Sequence, residues 1–514
     1  MTPAPKNCLD RDDLMTSIIK KKIRGRYYYY AVESKRVDGK PRIVWQKYLG
    51  KVNDIVMAVT GLDKLPVPQS SRIYDFGAEA ALLAISRRLD VAGIVNKHLA
   101  WQGEGLSAGE SMLLHTIYST VSPGIKLSQW FERTMLKRYF DISSRTLSEK
   151  RFQGIAALLT PEITKKIQRE LAQKILEEFG LRPEALVYSE IKLPPNIKAR
   201  TGKKNPAPLY INALITKEFS IPLFYKLYPG EPEDEKGSAE SGQWLIDRYC
   251  ELGYTDKDVT VVLSVPGDAV NPEFPPSREK TQHRYIVELP PGGQEEDFPA
   301  VPLERFYLMR QEQREKIRAY RTSKKIDEKN VVALLIYNET NGLQQPEGPA
   351  AGQPNRFSGK KILMTDNIHW DNEEIYDAYF GRKELEKAFM RMNARPGARS
   401  ALKSDRHTAA YVFCLMLALT MQSLMRWELS RCGVTGSIPE ILKHLAEMRE
   451  VAVTYAIGES QLRKKEHVII AELSPKQKEI FDCLRLKQFT AGGGSEDTRP
   501  DEAVPACQDG GDQE

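Results

Sequence analysis

The sequence predicts an α/β protein: a mixed sheet flanked by helices, with a segment inserted in it and a β-hairpin and a helical domain ahead of it. Three observations in the 514 residues point to this class. Short β-rich runs at Leu186–Leu193, Leu209–Thr216 and Ile221–Tyr228 precede a helical stretch and a further apolar run, Val259–Val265. Three strands, a helix and a returning strand describe a mixed sheet with a right-handed crossover. Phe76–Phe179 is helical in pattern, and Lys20–Lys51 reads as two strands around Asp38-Gly39, a strong hairpin dipeptide.

The hairpin pairs Arg26–Val32, with its run Tyr27-Tyr28-Tyr29-Tyr30, against Arg42–Tyr48. It gathers Lys20, Lys21, Lys22, Arg24, Arg26, Lys35, Arg36, Lys40, Arg42, Lys47 and Lys51 against Glu33 and Asp38 alone. A basic ribbon with interleaved aromatics suits a nucleic-acid backbone; a solvated face has the same composition. Within the helical domain, Thr160-Pro161-Glu162 is a helix start, with Thr160 as N-cap and Pro161 at the first helical position. His115 lies in an apolar helical stretch and reads as a satisfied core histidine rather than a ligand.

Beyond Val265, residues 272–358 read as an insertion. It holds two Pro/Gly/Gln-rich stretches, a charged helix-like segment at Leu303–Lys325 and one strand, Val331–Tyr337. Lys361–Thr365 resumes the sheet, Asn372–Met392 is a helix with Glu373 and Glu374 in its first turn, and Thr408–Leu429 and Ile438–Met448 complete the core. The expected division is therefore an arm at 1–70, a helical domain at 71–180, the sheet domain at 181–271 and 359–430, an extension at 431–489 and a disordered acidic tail at 490–514.

Composition limits function. With 41% hydrophobic and 28% charged residues the chain can build sizeable cores, which excludes a wholly disordered protein. The formal charge is +6, and the acidic residues Glu496, Asp497, Asp501, Glu502, Asp509, Asp512 and Glu514 sit in the tail, so the body is more basic than the whole. The cysteines (Cys8, Cys250, Cys414, Cys432, Cys483, Cys507) show no C-x-x-C spacing and read as reduced thiols of a cytoplasmic protein. Met1–Met15 has no apolar stretch, and the run Ala409–Leu419 is about half of the ~20 residues a membrane span needs, so it reads as a buried helix and no membrane partner is expected. No phosphate loop, G-x-G-x-x-G or G-x-S-x-G elbow is present, which argues against a metabolic enzyme with a small-molecule substrate.

The most informative spacing is Tyr379-x2-Arg382-x3-Glu386. On a helix these offsets put the three side chains within about 60° of one another, as a phosphate and metal platform or as decoration of a solvated face. The pattern resembles the Y-x2-R-x3-E-x6-K signature of insertion-sequence transposases with a ribonuclease H-like catalytic domain, the insertion-sequence-four group. Its surroundings are similar too: Tyr48-Leu49-Gly50 closing the hairpin, Ile221-Pro222-Leu223 leading to Tyr228-Pro229-Gly230 and Asp234, Arg395-Pro396 after the helix, and Leu473-Ser474-Pro475-Lys476-Gln477 near the end.

This resemblance implies DNA strand cleavage and joining during transposition, with Mg²⁺ ions held by two strand-end aspartates and one helical glutamate. It implies DNA element ends as partner, a homo-oligomer holding two ends together, and a place beside the nucleoid of a prokaryotic cell. The glutamate maps to Glu386, with Arg382 and Tyr379 beside it. The first aspartate position is Ser189, with Glu190 on the opposite strand face. No carboxylate ends Val259–Val265. Asp268 follows Pro266-Gly267, where it either reaches an ion from the loop or serves as a turn residue. Asn393 stands where the signature has lysine. With two of three carboxylates missing, impaired or absent catalysis is expected, and the alternative function is DNA binding alone.

Overall fold

The computed structural model describes residues 15–23, 25–37, 40–60, 68–101, 103, 105–121, 124–181, 186–193, 198–199, 207–229, 244–255, 259–264, 284–289, 301–312, 315–326, 329–339, 360–393, 405–457 and 463–490, with backbone alone at several, among them 188–192, 263–264 and 382–386. The chain divides into two units, Met1–Arg72 with Ala452–His467, and Ile73–Val451 with Val468–Glu514.

In the first unit, strands β1 (Met15–Ile23), β2 (Arg26–Val37) and β3 (Lys40–Gly50) form an antiparallel sheet in that order. The expected hairpin is β2–β3, and β1 is an addition. Its Ile18-Ile19-Lys20-Lys21-Lys22-Ile23 lacks the alternation that marks a strand, because both faces of this thin sheet are largely exposed. Helix α1 (Val52–Thr60) follows directly. Gly50 makes the corner at φ +95°, and a Cβ there would lie 2.5 Å from the Asp54 carboxylate, which accepts from the Lys51 amide at 2.7 Å. Strand β4 (Pro68–Asp75) leads out of this unit.

The helical domain comprises α2 (Gly77–Arg88), α3 (Val91–His98), α4 (Ala108–Val121), α5 (Leu127–Phe131), α6 (Leu136–Phe140), α7 (Glu149–Leu158) and α8 (Pro161–Glu178). The Thr160 hydroxyl accepts from the Ile163 amide at 3.3 Å, so the helix start lies where its capping residue put it. His115 is a core residue: its Nδ1 lies 2.8 Å from the Ser111 carbonyl, its ring stacks on Phe152, and burial lowers its pKa.

The large sheet contains β5 (Leu186–Lys192), β6 (Lys198–Ala199), β7 (Ala207–Thr216) and β8 (Pro222–Pro229), then helix α9 (244–250) and strand β9 (Val259–Ser264). It continues through β10 (Arg284–Leu289), β11 (Tyr307–Glu312), β12 (Glu315–Ile326), β13 (Lys329–Asn338) and β14 (Lys360–Thr365). Strands β8, β7 and β5 are antiparallel neighbours, and β9 and β10 continue the sheet parallel to β5. Beyond β10 the order is β14, β13, β12, β11, all antiparallel.

The region 272–358 therefore supplies four strands to this one sheet. Leu303–Lys325, expected to be helix-like, forms a short 3-10 turn and strands β11 and β12. Its dense charge mimics a solvated helix, whereas Ile317 and Ala319 alternate into the core on a period of two.

After the sheet come α10 (Asn372–Asn393), α11 (Asp405–Arg431), α12 (Ile438–Ala446), β15 (Arg449–Ile457), β16 (Arg463–Ile470) and α13 (Pro475–Cys483). Strands β16, β15 and β4 form a third sheet in that order. Helix α11 is long and apolar enough to cross a membrane, but 89% of its most apolar stretch is buried inside the fold, as expected for a core helix. Ser474 and Gln477 of the Leu473–Gln477 motif form the capping box of α13.

The expectation of reduced thiols is corrected at one pair. Cys432 and Cys483 form a disulfide across 51 positions, brought together where the end of α13 meets the residues following α11. Such a pairing depends on tertiary packing and leaves no local spacing to read. Cys250 and Cys414 are free, and Cys8 and Cys507 lie outside the described residues.

Candidate nucleic-acid interface and carboxylate positions

The three-stranded sheet arranges its lysines by register. Lys20, Lys21 and Lys22 stand opposite Tyr29, Tyr28 and Tyr27. Alternation then sorts them: Lys21 Nζ lies 4.7 Å from the centre of the Tyr30 ring and donates to Gln46 Oε1 at 3.2 Å, beside a cluster of Tyr28, Tyr30 and Tyr48. Lys20 and Lys22 instead flank the Tyr27 ring, at 4.6 and 5.7 Å. Tyr27 and Tyr48 are each about half exposed (48% and 53%), so both faces show aromatic surface beside ammonium groups. Arg26 and Lys35 are exposed on β2. Arg24 lies outside the described residues, and Arg36 is described in its backbone only.

In the second unit, Ser189 of β5 stands opposite Ala213 of β7, and Glu190 opposite Asn212. Their side chains lie outside the described residues, as does Asp268 altogether. Strand β9 runs beside β5 with Val261 across from Tyr188, and its last residue, Ser264, stands across from Glu288 of β10.

Glu288 is a participant that sequence reading passed over. Its carboxylate accepts hydrogen bonds from the Tyr379 hydroxyl and from the Lys361 ammonium. The signal was a lone acid in the apolar run Tyr285-Ile286-Val287-Glu288-Leu289. Tyr379 is buried and bound to this carboxylate. Arg382 and Glu386 belong to the same helix, but their side chains lie outside the described residues.

Among the described residues no three His, Cys, Asp or Glu side chains converge to hold a metal ion, and the side chains of Glu190, Asp268 and Glu386 lie outside them. A serine at position 189 supplies no anionic oxygen to a hard cation.

Helix α10 also walls an open cleft of about 1420 Å³, together with β10–β14, α11 and the β7–β8 turn. Three carboxylates in its wall are paired: Glu374 with Lys217 at 2.6 Å, Asp377 with Arg310 at 2.8 Å, and Glu288 with Lys361. The turn is strained, with Phe219 and Ser220 both left-handed at φ +58° and +51°, a cost of about 1–3 kcal/mol for each residue. Hydrogen bonds hold it. Thr216 Oγ1 accepts from the Ile221 amide at 3.0 Å and donates to the Glu218 carbonyl at 2.5 Å, and Ser423 Oγ donates to the Ser220 carbonyl at 3.4 Å.

No family model and no curated protein matches this chain. Among solved structures it is similar to piggyBac transposase in a synaptic complex with hairpin DNA, at 10% identity and a TM-score of 0.36, over 71% of this chain and 79% of that one.

Proposed function

We propose that this chain is a transposase-type protein that binds DNA through its basic N-terminal sheet, built on a ribonuclease H-like sheet degenerate at its first carboxylate position. The observation that carries the reading is the strand order β8-β7-β5-β9-β10, with three antiparallel strands, a helix and a parallel return. This is the arrangement that the resemblance calls for around Ser189. The helix bearing Tyr379, Arg382 and Glu386 follows the sheet, as the insertion-sequence-four resemblance also requires. Lysines set against tyrosine rings give the N-terminal sheet cations for phosphates and π-faces for bases or sugars. Element ends of DNA are the partner in this reading, held by a homo-oligomer.

Salt-dependent binding tests it. For wild type, log K falls by about 0.9 per phosphate contact per decade of salt. Changing Lys20, Lys21, Lys22 and Arg26 to Gln flattens that slope, and binding without salt dependence in wild type overturns the reading.

The second reading is metal-dependent strand cleavage and transfer, with Glu386 as the surviving carboxylate and Asp268 recruited from its loop. Its support is the Tyr379–Arg382–Glu386 spacing. It requires nicking of DNA in Mg²⁺ or Mn²⁺ that Glu386→Gln abolishes. In the degenerate reading, wild type does not nick DNA in either metal.

A further inference from the structure

We propose that the face of the N-terminal sheet carrying Trp45 is a stacking platform for unpaired nucleotides, with the indole against a base and Lys47 and Lys20 on flanking phosphates. This rests on the reading of that sheet as the DNA-binding surface and names the form of DNA it takes, a single strand. Register sets the residues of this face. Trp45 stands opposite Glu33, Lys47 opposite Ala31, and Lys20 opposite Tyr29. Alternation along β2 puts Tyr29, Ala31 and Glu33 on one side, so their partners share it. The Tyr28–Tyr30–Tyr48 cluster, with Lys21 and Gln46, belongs to the other.

A purely structural strand does not account for Trp45. Ile43, Val44 and Trp45 are consecutive and each about half exposed (51%, 54% and 45%), a run of open apolar surface that a strand does not carry without a use. The register skips Val44, since Trp45 pairs with Glu33 and Ile43 with Ser34, and such a bulge bends the strand and re-aims the side chain beside it. Among the described residues the Tyr27 and Tyr30 rings have ammonium partners, whereas the indole of Trp45 meets no ring and no cation. Charge then selects the occupant. Glu33 is the single carboxylate in β1–β3, against three lysines or arginines in each strand, so an anionic chain fits and an apolar protein surface does not. A duplex presents base edges and phosphates, because its base faces are stacked on one another. An unpaired base offers the indole a free π-face.

The test is fluorescence anisotropy with the full chain, from about 50 to about 200 mM salt. The probes are a labelled thymidine homopolymer of about 16 nucleotides and a random-sequence duplex of the same length. Trp45→Ala is expected to weaken binding of the single strand about 5- to 150-fold, the equivalent of about 1–3 kcal/mol for one stacked base, and to weaken the duplex less. Trp45→Phe should restore most of that loss, and both variants should keep the wild-type salt slope, since no charge is removed. Equal loss on the two probes, or no loss on the single strand, overturns the platform and leaves salt-dependent DNA binding standing. So does a wild type that binds the duplex and not the homopolymer. Trp45→Phe as weak as Trp45→Ala, or a flattened slope in Trp45→Ala, also overturns it, because lost shape of the sheet rather than a lost stack is then the cause. Absence of salt-dependent binding to either probe in wild type overturns both readings.

Discussion

The hydroxyl of Tyr379 on α10 donates to the carboxylate of Glu288 at the end of β10, tying the helix with the Tyr-Arg-Glu spacing to the sheet's parallel half. Lys361 of β14 supplies a second donor to the same carboxylate. The tyrosine of the pattern thus serves to position its helix.

Tyr379→Phe keeps the ring and removes one donor to a charged acceptor. The expected loss is about 1.5–3 kcal/mol of stability, the usual worth of such a bond. Urea denaturation of wild type and variant measures it, and equal midpoints would show that the bond contributes nothing.

Glu79 on α2 is 4% exposed, and burial raises its pKa to about 7, with the neighbouring Asp75 adding to the rise. The Trp130 indole donates to it at 3.2 Å and Arg449 draws it back, too weakly to reverse the shift. Because the folded form binds the proton more tightly than the unfolded one, stability falls as pH rises from about 4.5 to about 7 and is level above. Glu79→Gln can still accept from Trp130 and removes this dependence. It should be more stable than wild type at pH 8 by about 3 kcal/mol, and no different near pH 4. Denaturation midpoints at several pH values check this, and parallel pH profiles for the two proteins would refute it.

Glu450 is 1% exposed and receives Arg138 through Nε at 3.1 Å and Nη2 at 2.6 Å, while the same Nη2 donates to the Phe489 carbonyl at 2.8 Å. Arg138→Met leaves a buried carboxylate without its partner and should cost about 3–5 kcal/mol. Adding Glu450→Gln should recover part of the loss. A double variant no more stable than the single one would locate the loss in the Phe489 contact instead.

The Cys432–Cys483 bond spans 51 positions, for which the loop-entropy relation gives about 4 kcal/mol of stabilisation. Cys432→Ser should lower the melting temperature of the oxidised protein to that of the wild type under reductant. A wild-type melt insensitive to reductant would show that the bond adds no stability.

Much of this molecule was legible in its local chemistry. Thr160-Pro161 starts its helix, the Tyr27–Tyr30 run forms its strand, and Leu209–Thr216 and Ile221–Tyr228 are strands as expected, because capping and alternation act within a few residues. The Tyr379–Arg382–Glu386 spacing lay on a helix for the same reason. Leu303–Lys325 misled, because a charged strand whose buried positions are Ile317 and Ala319 shows little period in isolation.

By itself the sequence determined the helical domain, the first strands of the sheet, the basic character of the N-terminal strands and the serine at position 189. Tertiary structure alone decided that β10–β13 extend one sheet, that Cys432 meets Cys483, and that Glu288 receives Tyr379 and Lys361. Each of these joins residues distant in sequence. Such contacts form only when burial of the surrounding apolar surface offsets the entropy of closing the chain between them, and no local pattern records that balance.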